Sequence, residues 1–480
     1  MAPRPWRMFF MISVGVFASL LDLFIVNIAF PDLQRDFAGT DLADLSWVLN
    51  GYAIVFAALL VPAGRLVDLY GRKRGFIVGM SVFTAASALS AVAPSASLLI
   101  AARVLQGAGA AILTPSSLGV VLPAFPPRSR PSVIAAWAAV GAVGAAAGPP
   151  LGGLLVQASW RWVFLVNLPL GLVSVWYAIR RLDESRDRNA AGLPDLTGTL
   201  ALMLGIGALT LALVRGRDWG WGSLGILLAF AVAVVMTSAA LARSARHPVP
   251  ALELPILRVR SFALAVASGL VFFTAFAALL LAGVLFLTQV WGHSILRAGL
   301  ELTPGPLAAL VLAMVAGRVS RRGVPMPTLG AIGGVLVAAG LTLYVVRLGL
   351  VPDYPADYLP AQLVTGAGIG LAMPAFTAVA VSAVEPARFA TAIGISSMFR
   401  QVGGALGVAT FVAIVGTPSR SDAISAYRHG WIFMAAAALV GALLMLAARL
   451  KASPAASTVA VPARGEVSSD RSASTHPVPR

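Results

Sequence analysis

The sequence predicts an all-α integral membrane protein with fourteen spanning helices. Two six-helix bundles are related by a parallel repeat, and two further helices are inserted between them. Three observations carry this reading. Of the 480 residues, 59% are hydrophobic and 11% charged, more apolar surface than a water-soluble fold can bury. Apolar runs long enough to cross a hydrocarbon core of roughly 30 Å recur fourteen times along the chain. A pattern from the first half of the chain also returns in the second.

The runs lie near 8–30, 45–63, 75–93, 97–122, 132–156, 162–180, 197–214, 223–241, 261–289, 299–317, 326–347, 359–382, 391–415 and 429–449. Short loops join them. The first is too long for a cleavable signal segment, contains Asp22, and lacks a small-residue cleavage site after it. Residues 1–180 form the first bundle, 197–241 the inserted pair, and 261–449 the second bundle. The Ser-, Pro- and Ala-rich tail at 450–480 reads as a disordered cytoplasmic extension.

Charge placement orients the chain. With the N-terminus inside, the cytoplasmic segments hold 25 of the 35 basic residues and the external loops hold 8; Arg103 and Arg400 lie within runs. This bias predicts that both termini are cytoplasmic; the absence of any N-x-S/T sequon favours a prokaryote, so the membrane expected is a bacterial inner membrane. It also explains the net charge of +16 as basic loops facing anionic lipid rather than nucleic acid. Trp47, Trp160, Trp162, Trp219, Trp221, Trp291 and Trp431 fall at external run ends and are expected to form an interfacial belt. The absence of cysteine excludes disulfides and thiolate metal sites.

The repeat is direct. Residues 102–115 read ARVLQGAGAAILTP and residues 361–374 read AQLVTGAGIGLAMP, an offset of 259. The same offset sets Gly144 on Gly403 and Gly148 on Gly407. Both copies cross in the same direction, so the halves are related by an axis along the membrane normal.

Asp22 is the residue that most needs a reason. A carboxylate within a spanning helix costs roughly 2.5–3.5 kcal/mol on insertion scales and points to function. At ~1.5 Å rise per residue, Asp22 lies roughly 12 Å from the outer end of its run and Arg103 roughly 9–10 Å from the outer end of the fourth. The two can therefore pair. A carboxylate alternating between a desolvated site and an arginine can take up and release a proton. Arg103 aligns with Gln362 under the repeat, and the ninth run carries no ionisable residue. Proton coupling is thus expected in the first half, while the second mainly shapes the cavity.

Between the second and third runs, Gly64 to Gly75 read GRLVDLYGRKRG. Gly64 permits close helix approach, Asp68 can accept from a helix N-terminus, and Arg72, Lys73 and Arg74 hold the loop at the cytoplasmic face. The fifth run reads GAVGAAAGPPLGG at 141–153. Its Gly144 and Gly148 spacing permits tight packing, and Pro149 and Pro150 followed by Gly152 predict a bend.

These stretches resemble the major facilitator superfamily. The G-x-L-x-D-x-x-G-R-K pattern from Gly64 through Asp68, Gly71, Arg72 and Lys73 is similar to its signature loop. LQGAGAAILTP with Arg103 resembles the fourth-helix motif of proton-coupled members, and the fifth-run glycines resemble the antiporter motif. LDLFIVNIAFPDL at 21–33 and WRWVFLVNLPLG at 160–171 resemble the fourteen-helix drug:proton antiporters. The resemblance spans residues 8–449. It implies that Asp22 is the protonatable acid and Arg103 its coupling partner, that Asp68 and Arg72 lock the two halves, and that Gly144, Gly148, Pro149 and Gly152 form a seal. This sequence departs from the pattern at Phe24, where relatives often carry Thr, and at Ser320 and Arg321, where the second loop has lost its acid.

The candidate cavity residues are Phe24, Asn27, Gln106, Phe276, Arg400 and Gln401. Arg400 either binds an anionic group or caps a structural network between helices. Phe272, Phe273 and Phe276 either pack or line the cavity. Glu301 is expected to stabilise a helix N-terminus, and His293 and His429 to lie in loops without a role. A secondary exporter of lipophilic or amphipathic compounds in exchange for protons fits best, acting as a monomer, without a cofactor, on the proton gradient. The alternatives are a proton-coupled or facilitative carrier of another solute, a membrane-embedded enzyme and a pore. No P-loop, metalloprotease or nucleophile-elbow motif is present.

Overall fold

A computed structural model describes residues 4–126, 129–186, 192–385 and 388–450. The expected tail lies outside them. The spanning helices are α1 (Arg4–Asp36), α2 (Trp47–Tyr70), α3 (Arg72–Ala91), α4 (Ala96–Val121), α5 (Arg130–Val156), α6 (Asn167–Arg181), α7 (Leu196–Trp219), α8 (Leu224–Ser244), α9 (Arg260–Leu285), α10 (Pro304–Arg321), α11 (Met326–Arg347), α12 (Leu359–Ser382), α13 (Phe389–Val415) and α14 (Ala423–Leu450). Among the described residues, fourteen segments are long and apolar enough to cross a membrane, α6 being so when joined to the turn of helix before it, as Trp162–Arg181.

Helix ends differ from the apolar runs where a helix outlasts its hydrophobic core. α1 continues through Pro31 to Asp36, although polarity rises after Phe30. A proline costs a helix only one hydrogen bond and a local clash, and packing against neighbours sustains the extra turns.

The packing repeats itself. In the first bundle the extensive pairs are α3 with α4, α2 with α4, α1 with α5, α3 with α6 and α1 with α6. In the second they are α11 with α12, α10 with α12, α9 with α13, α11 with α14 and α9 with α14. Each pair in one set is its twin in the other eight helices along. The glycines make this concrete. A Cβ on Gly144 would stand 2.8 Å from the Phe17 carbonyl of α1. One on Gly403 or Gly407 would collide with the Leu270 or Thr274 carbonyl of α9. Small residues let backbones meet where lipid provides no hydrophobic drive for association.

The face holding the start of α1 is called the basic face here, and the other the far face. The bundles meet where α1 packs on α9 and along two seams to either side. Along one, α2 packs on α13, and α7 lies against both. α8 packs on α7 and shows Leu224, Leu227, Leu228, Val234 and Val235 to the surroundings. At the other seam, the short helix Ile295–Glu301 on the far face packs into α5.

The inserted pair is pinned at both ends. Asp195 caps α7 through the Gly198 amide at 2.8 Å and accepts Arg243 of α8 at 2.9 Å. On the far face, Arg215 of α7 pairs with Asp41 at 2.7 Å and with Asp44, both in the α1–α2 connection.

The expected tryptophan belt is only partly one. Trp162, Trp219 and Trp221 are exposed, but Trp160, Trp291 and Trp431 are buried. Trp160 donates to Asp36 at 2.7 Å and Trp291 to the Gly349 carbonyl at 2.9 Å. Trp431 packs on Phe286, Tyr344 and Tyr427. A tryptophan at a helix end has the same sequence signature whether it faces lipid or protein, and these three found indole partners or ring neighbours inside.

Candidate functional site

Asp22 and Arg103 meet inside the first bundle, each 0% exposed. Arg103 Nη1 donates to Asp22 Oδ2 at 2.5 Å. The other carboxylate oxygen, Oδ1, accepts from Gln106 Nε2 at 2.8 Å and from Asn167 Nδ2 at 3.0 Å. Both amides also reach Ser87 Oγ, at 2.8 and 3.3 Å. Arg103 Nη1 donates to Gln106 Oε1 at 2.6 Å, and Nε to the Val48 carbonyl at 3.1 Å. The Tyr52 ring lies 4.4 Å from the guanidinium carbon, within cation–π range. Helices α1, α2, α3, α4 and α6 thus all contribute to one cluster.

The local sequence explains the assembly. Arg103 and Gln106 are three residues apart, which places them on one helix face. Asn167 opens α6, and Ser87 lies on α3, which packs on α4. A buried charge is tolerated only when paired and fully hydrogen-bonded, and three donors meet that demand for the ionised carboxylate. Arg103 Nη2 and Asn167 Oδ1 have no protein partner among the described residues, so each side of the cluster keeps one unused hydrogen-bonding atom.

Gln106, expected on the cavity wall, belongs instead to this cluster, because Asp22 offers a second acceptor oxygen at its depth. Asn167 and Ser87 went unassigned in the sequence reading. Asn167 lies in WRWVFLVNLPLG, where a lone amide at the head of an apolar helix was the available signal. Asn27, another expected cavity residue, is buried and donates to the Leu23 carbonyl of its own helix at 3.0 Å.

The signature loop is tied mainly to its own bundle, while Arg65 reaches out to Glu253, between α8 and α9, at 2.8 Å. Asp68 accepts from Arg72 Nε at 3.0 Å. Glu184, just past α6, accepts from the Lys73 and Arg74 amides at 3.0 and 3.2 Å. Lys73 Nζ donates to the Leu182 carbonyl at 2.7 Å and the Ile179 carbonyl at 3.2 Å, near the C-terminal end of α6, where a cation is favoured. The expected bridge between bundles is therefore not what these residues make. Among the described residues, the hydrogen bonds of Asp68 and Arg72 stay in the first bundle: Arg72 Nε turns to Asp68 one turn back, and the Arg72 amide to the Ser185 carbonyl. Gly71 has φ +123°, and a Cβ there would fall 2.5 Å from the Glu184 carboxylate, so the site admits glycine for two reasons. Gly64 approaches Pro115 of α4, with 3.6 Å left for a Cβ.

On α5, the glycines split between two faces. Gly144, Gly148 and Gly152 face α1; a Cβ on Gly148 would stand 2.6 Å from Phe24 Cβ. Pro149 and Gly153 face the second bundle, where Gly299 sits 2.6 Å, by its Cβ position, from the Pro149 carbonyl. The helix runs unbroken through both prolines. On the same face of the membrane, Gln289 donates to Gln34 at 2.7 Å across the bundles. A cavity of about 680 Å³ opens there between Asp32, Gln157 and His293.

His293 and Glu301 correct their expectations. Glu301 ends its short helix rather than starting one. It accepts from Arg297 at 2.8 Å and pairs with the buried His293 at 2.7 Å. Residues 293–301 fold back on themselves, which brings acid and imidazole together.

The remaining cavity candidates form an aromatic path. Phe24 meets Phe276 at 5.9 Å between centroids, Phe276 meets Phe273 at 5.4 Å, and Arg400 lies 5.6 Å over the Phe273 ring. Gln401 is half-buried beside it. Phe272 is buried against Phe376 at 5.0 Å.

A family model described as Major Facilitator Superfamily matches residues 12–408. The chain belongs to the major facilitator superfamily. Membership makes it a transporter of small molecules with many membrane-spanning helices. The chain is 34% identical to the multidrug resistance protein Stp of Mycobacterium tuberculosis over 84% of its own length and 74% of that protein's. It is 33% identical to a probable actinorhodin transporter of Streptomyces coelicolor, over 85% and 72%. It is 33% identical to a tetracenomycin C resistance and export protein of Streptomyces glaucescens, over 85% and 75%. A crystal structure of the peptide transporter POT in complex with sulfate matches with a TM-score of 0.66 at 15% identity, covering 92% of this chain and 94% of that one. At that identity the likeness is one of superfamily fold.

Proposed function

We propose that this protein exports lipophilic or amphipathic compounds across a bacterial cytoplasmic membrane in exchange for protons, by alternating access. The observation that carries the reading is the wholly buried Asp22 carboxylate, held by Arg103, Gln106 and Asn167. A proton arriving on Asp22 removes its charge and turns one acceptor oxygen into a donor. Arg103 is then a buried cation without a counter-charge, which costs several kcal/mol. The first bundle therefore has two internal arrangements, one per protonation state, and that is what a coupled carrier needs. The resistance and export names of the relatives support the direction of transport. No cofactor is required, the termini face the cytoplasm, and one copy suffices.

The test uses everted membrane vesicles containing the full chain, acidified inside by respiration and monitored with a pH-sensitive fluorophore. Addition of a transported amphiphile such as N-phenylnaphthylamine is expected to release protons. Asp22→Asn is expected to abolish the release. Proton release that persists in Asp22→Asn removes Asp22 from coupling.

A further inference from the structure

We propose, on the footing of the exporter reading above, that Arg400 selects substrate by charge, and that the protein prefers soluble amphiphiles whose acidic group is ionised at neutral pH.

Arg400 stands near the middle of α13, which spans Phe389–Val415. Its hydrogen bonds go to Ser396 Oγ at 3.2 Å and Ser397 Oγ at 2.8 Å, both on its own helix one turn earlier. It does not cap a network between helices. The guanidinium lies over Phe273, and its stem packs beside Gly269, with 3.5 Å left for a Cβ there. Among the described residues no carboxylate pairs with it. The acids between residues 254 and 450 are Glu301, Asp353, Asp357, Glu385 and Asp422, and all lie at helix ends or in loops. Arg103, by contrast, has Asp22. Among the described residues, the middle of the membrane thus holds one balanced pair and one unbalanced cation.

The position of that cation gives it a use. An unpaired ionisable group at membrane depth marks a substrate or ion path. Arg400, Phe273, Phe276 and Phe24 form a continuous line, and Phe24 is two residues from Asp22. An amphiphile lying along the line would place its rings on the phenylalanines and its acid on the guanidinium, whose planar fork suits carboxylate or sulfonate. A cationic compound in the same place would meet an uncompensated like charge. Exchange of an anion for a proton moves positive charge inward twice over in each cycle, so membrane potential drives it more strongly than export of a neutral compound.

The experiment compares two probes of nearly the same shape, anilinonaphthalene sulfonate and N-phenylnaphthylamine, in proteoliposomes of phosphatidylcholine under an imposed pH gradient. The expected kcat/KM ratio favours the sulfonate at least tenfold in the natural protein. Arg400→Gln brings the ratio to about one, and Arg400→Lys keeps it well above that. Equal handling of the probes by the natural protein, or preference for the amine, overturns the proposal without any variant. So does an Arg400→Gln protein that keeps the ratio. The preference persists when phosphatidylglycerol is included; its loss there assigns Arg400 to a lipid headgroup and overturns the proposal. If neither probe moves under the gradient, the exporter reading fails, and this inference with it; transport of the amine but not the sulfonate sinks the inference alone.

Discussion

Gly299 of the second bundle lies directly on Gly153 of α5: a Cβ on Gly299 would stand 3.0 Å from Gly153 Cα and 2.6 Å from the Pro149 carbonyl. Backbone meets backbone, so neither partner can move aside for a side chain. Gly299→Val is expected to hold the far-face seam apart and to lower transport at least tenfold with normal membrane insertion. The natural chain contains no cysteine, so a single Leu296→Cys, half-buried on Gly153, reports the seam through an impermeant thiol reagent. Labelling should rise several-fold in the Gly299→Val background; unchanged labelling and transport would show that the contact is not a gate.

Asn167 offers a sharper test of the proposed proton site than Asp22 itself. Asn167→Ala removes one of two amide donors on Oδ1 and leaves Arg103 and Gln106 in place. A lost hydrogen bond to a charged group is worth roughly 1.5–3 kcal/mol, so coupled transport should fall about tenfold or more, with the optimum of its pH profile displaced. A purely structural role would lower transport at every pH alike.

The Asp22–Arg103 pair should show strong non-additivity. Removing one member of a buried pair costs about 3–5 kcal/mol, whereas replacing both with neutral groups costs far less. Arg103→Gln is therefore expected to melt several degrees below the natural protein, and Asp22→Asn with Arg103→Gln to recover most of the loss. Tryptophan fluorescence in detergent reads the melting. Additive effects would mean the two residues do not share one energetic unit.

At the basic end of the inserted helices, pH enters through Asp195. Burial pushes its carboxyl pKa up, but Arg243, the Gly198 amide and His247 outweigh this and hold it below the usual value of 3.8. A carboxyl depressed in the folded state stabilises it above the unfolded pKa and loses that contribution as pH falls through the folded value. Asp195→Asn keeps a capping side chain but removes the charge that Arg243 pairs with, and should thus loosen α7 and α8 at neutral pH. The difference from the natural protein should close below about pH 4. Protease sensitivity of the segment before α7, followed against pH, checks this; a gap constant down to pH 3 would rule out the ion pair as its cause.

Most of the fold was legible because a bilayer imposes a length and a polarity that sequence states openly. Asp22 and Arg103 could be paired by counting rise per residue, since both sit in helices whose ends were visible. Asn167 and Glu184 could not be placed that way. Each lies at a helix boundary, where position depends on how the next helix packs rather than on periodicity. The same holds for Trp160, Trp291 and Trp431, whose facing follows from tertiary contacts. Gln106 shows the reverse case: three residues from Arg103, it was within reach of the carboxylate on spacing alone.

The insertion of α7 and α8 has a consequence for how such a chain can change. Each bundle crosses the membrane an even number of times, and the second begins at Arg260 on the same face where the first began. A single added crossing would deliver Arg260 to the opposite face and turn the second bundle upside down. Gly403 and Gly407 would then no longer be related to Gly144 and Gly148 by rotation about the membrane normal. Helices can therefore enter or leave this junction only as hairpins, and the pair pinned by Asp195 and Arg243 is the smallest addition that parity allows.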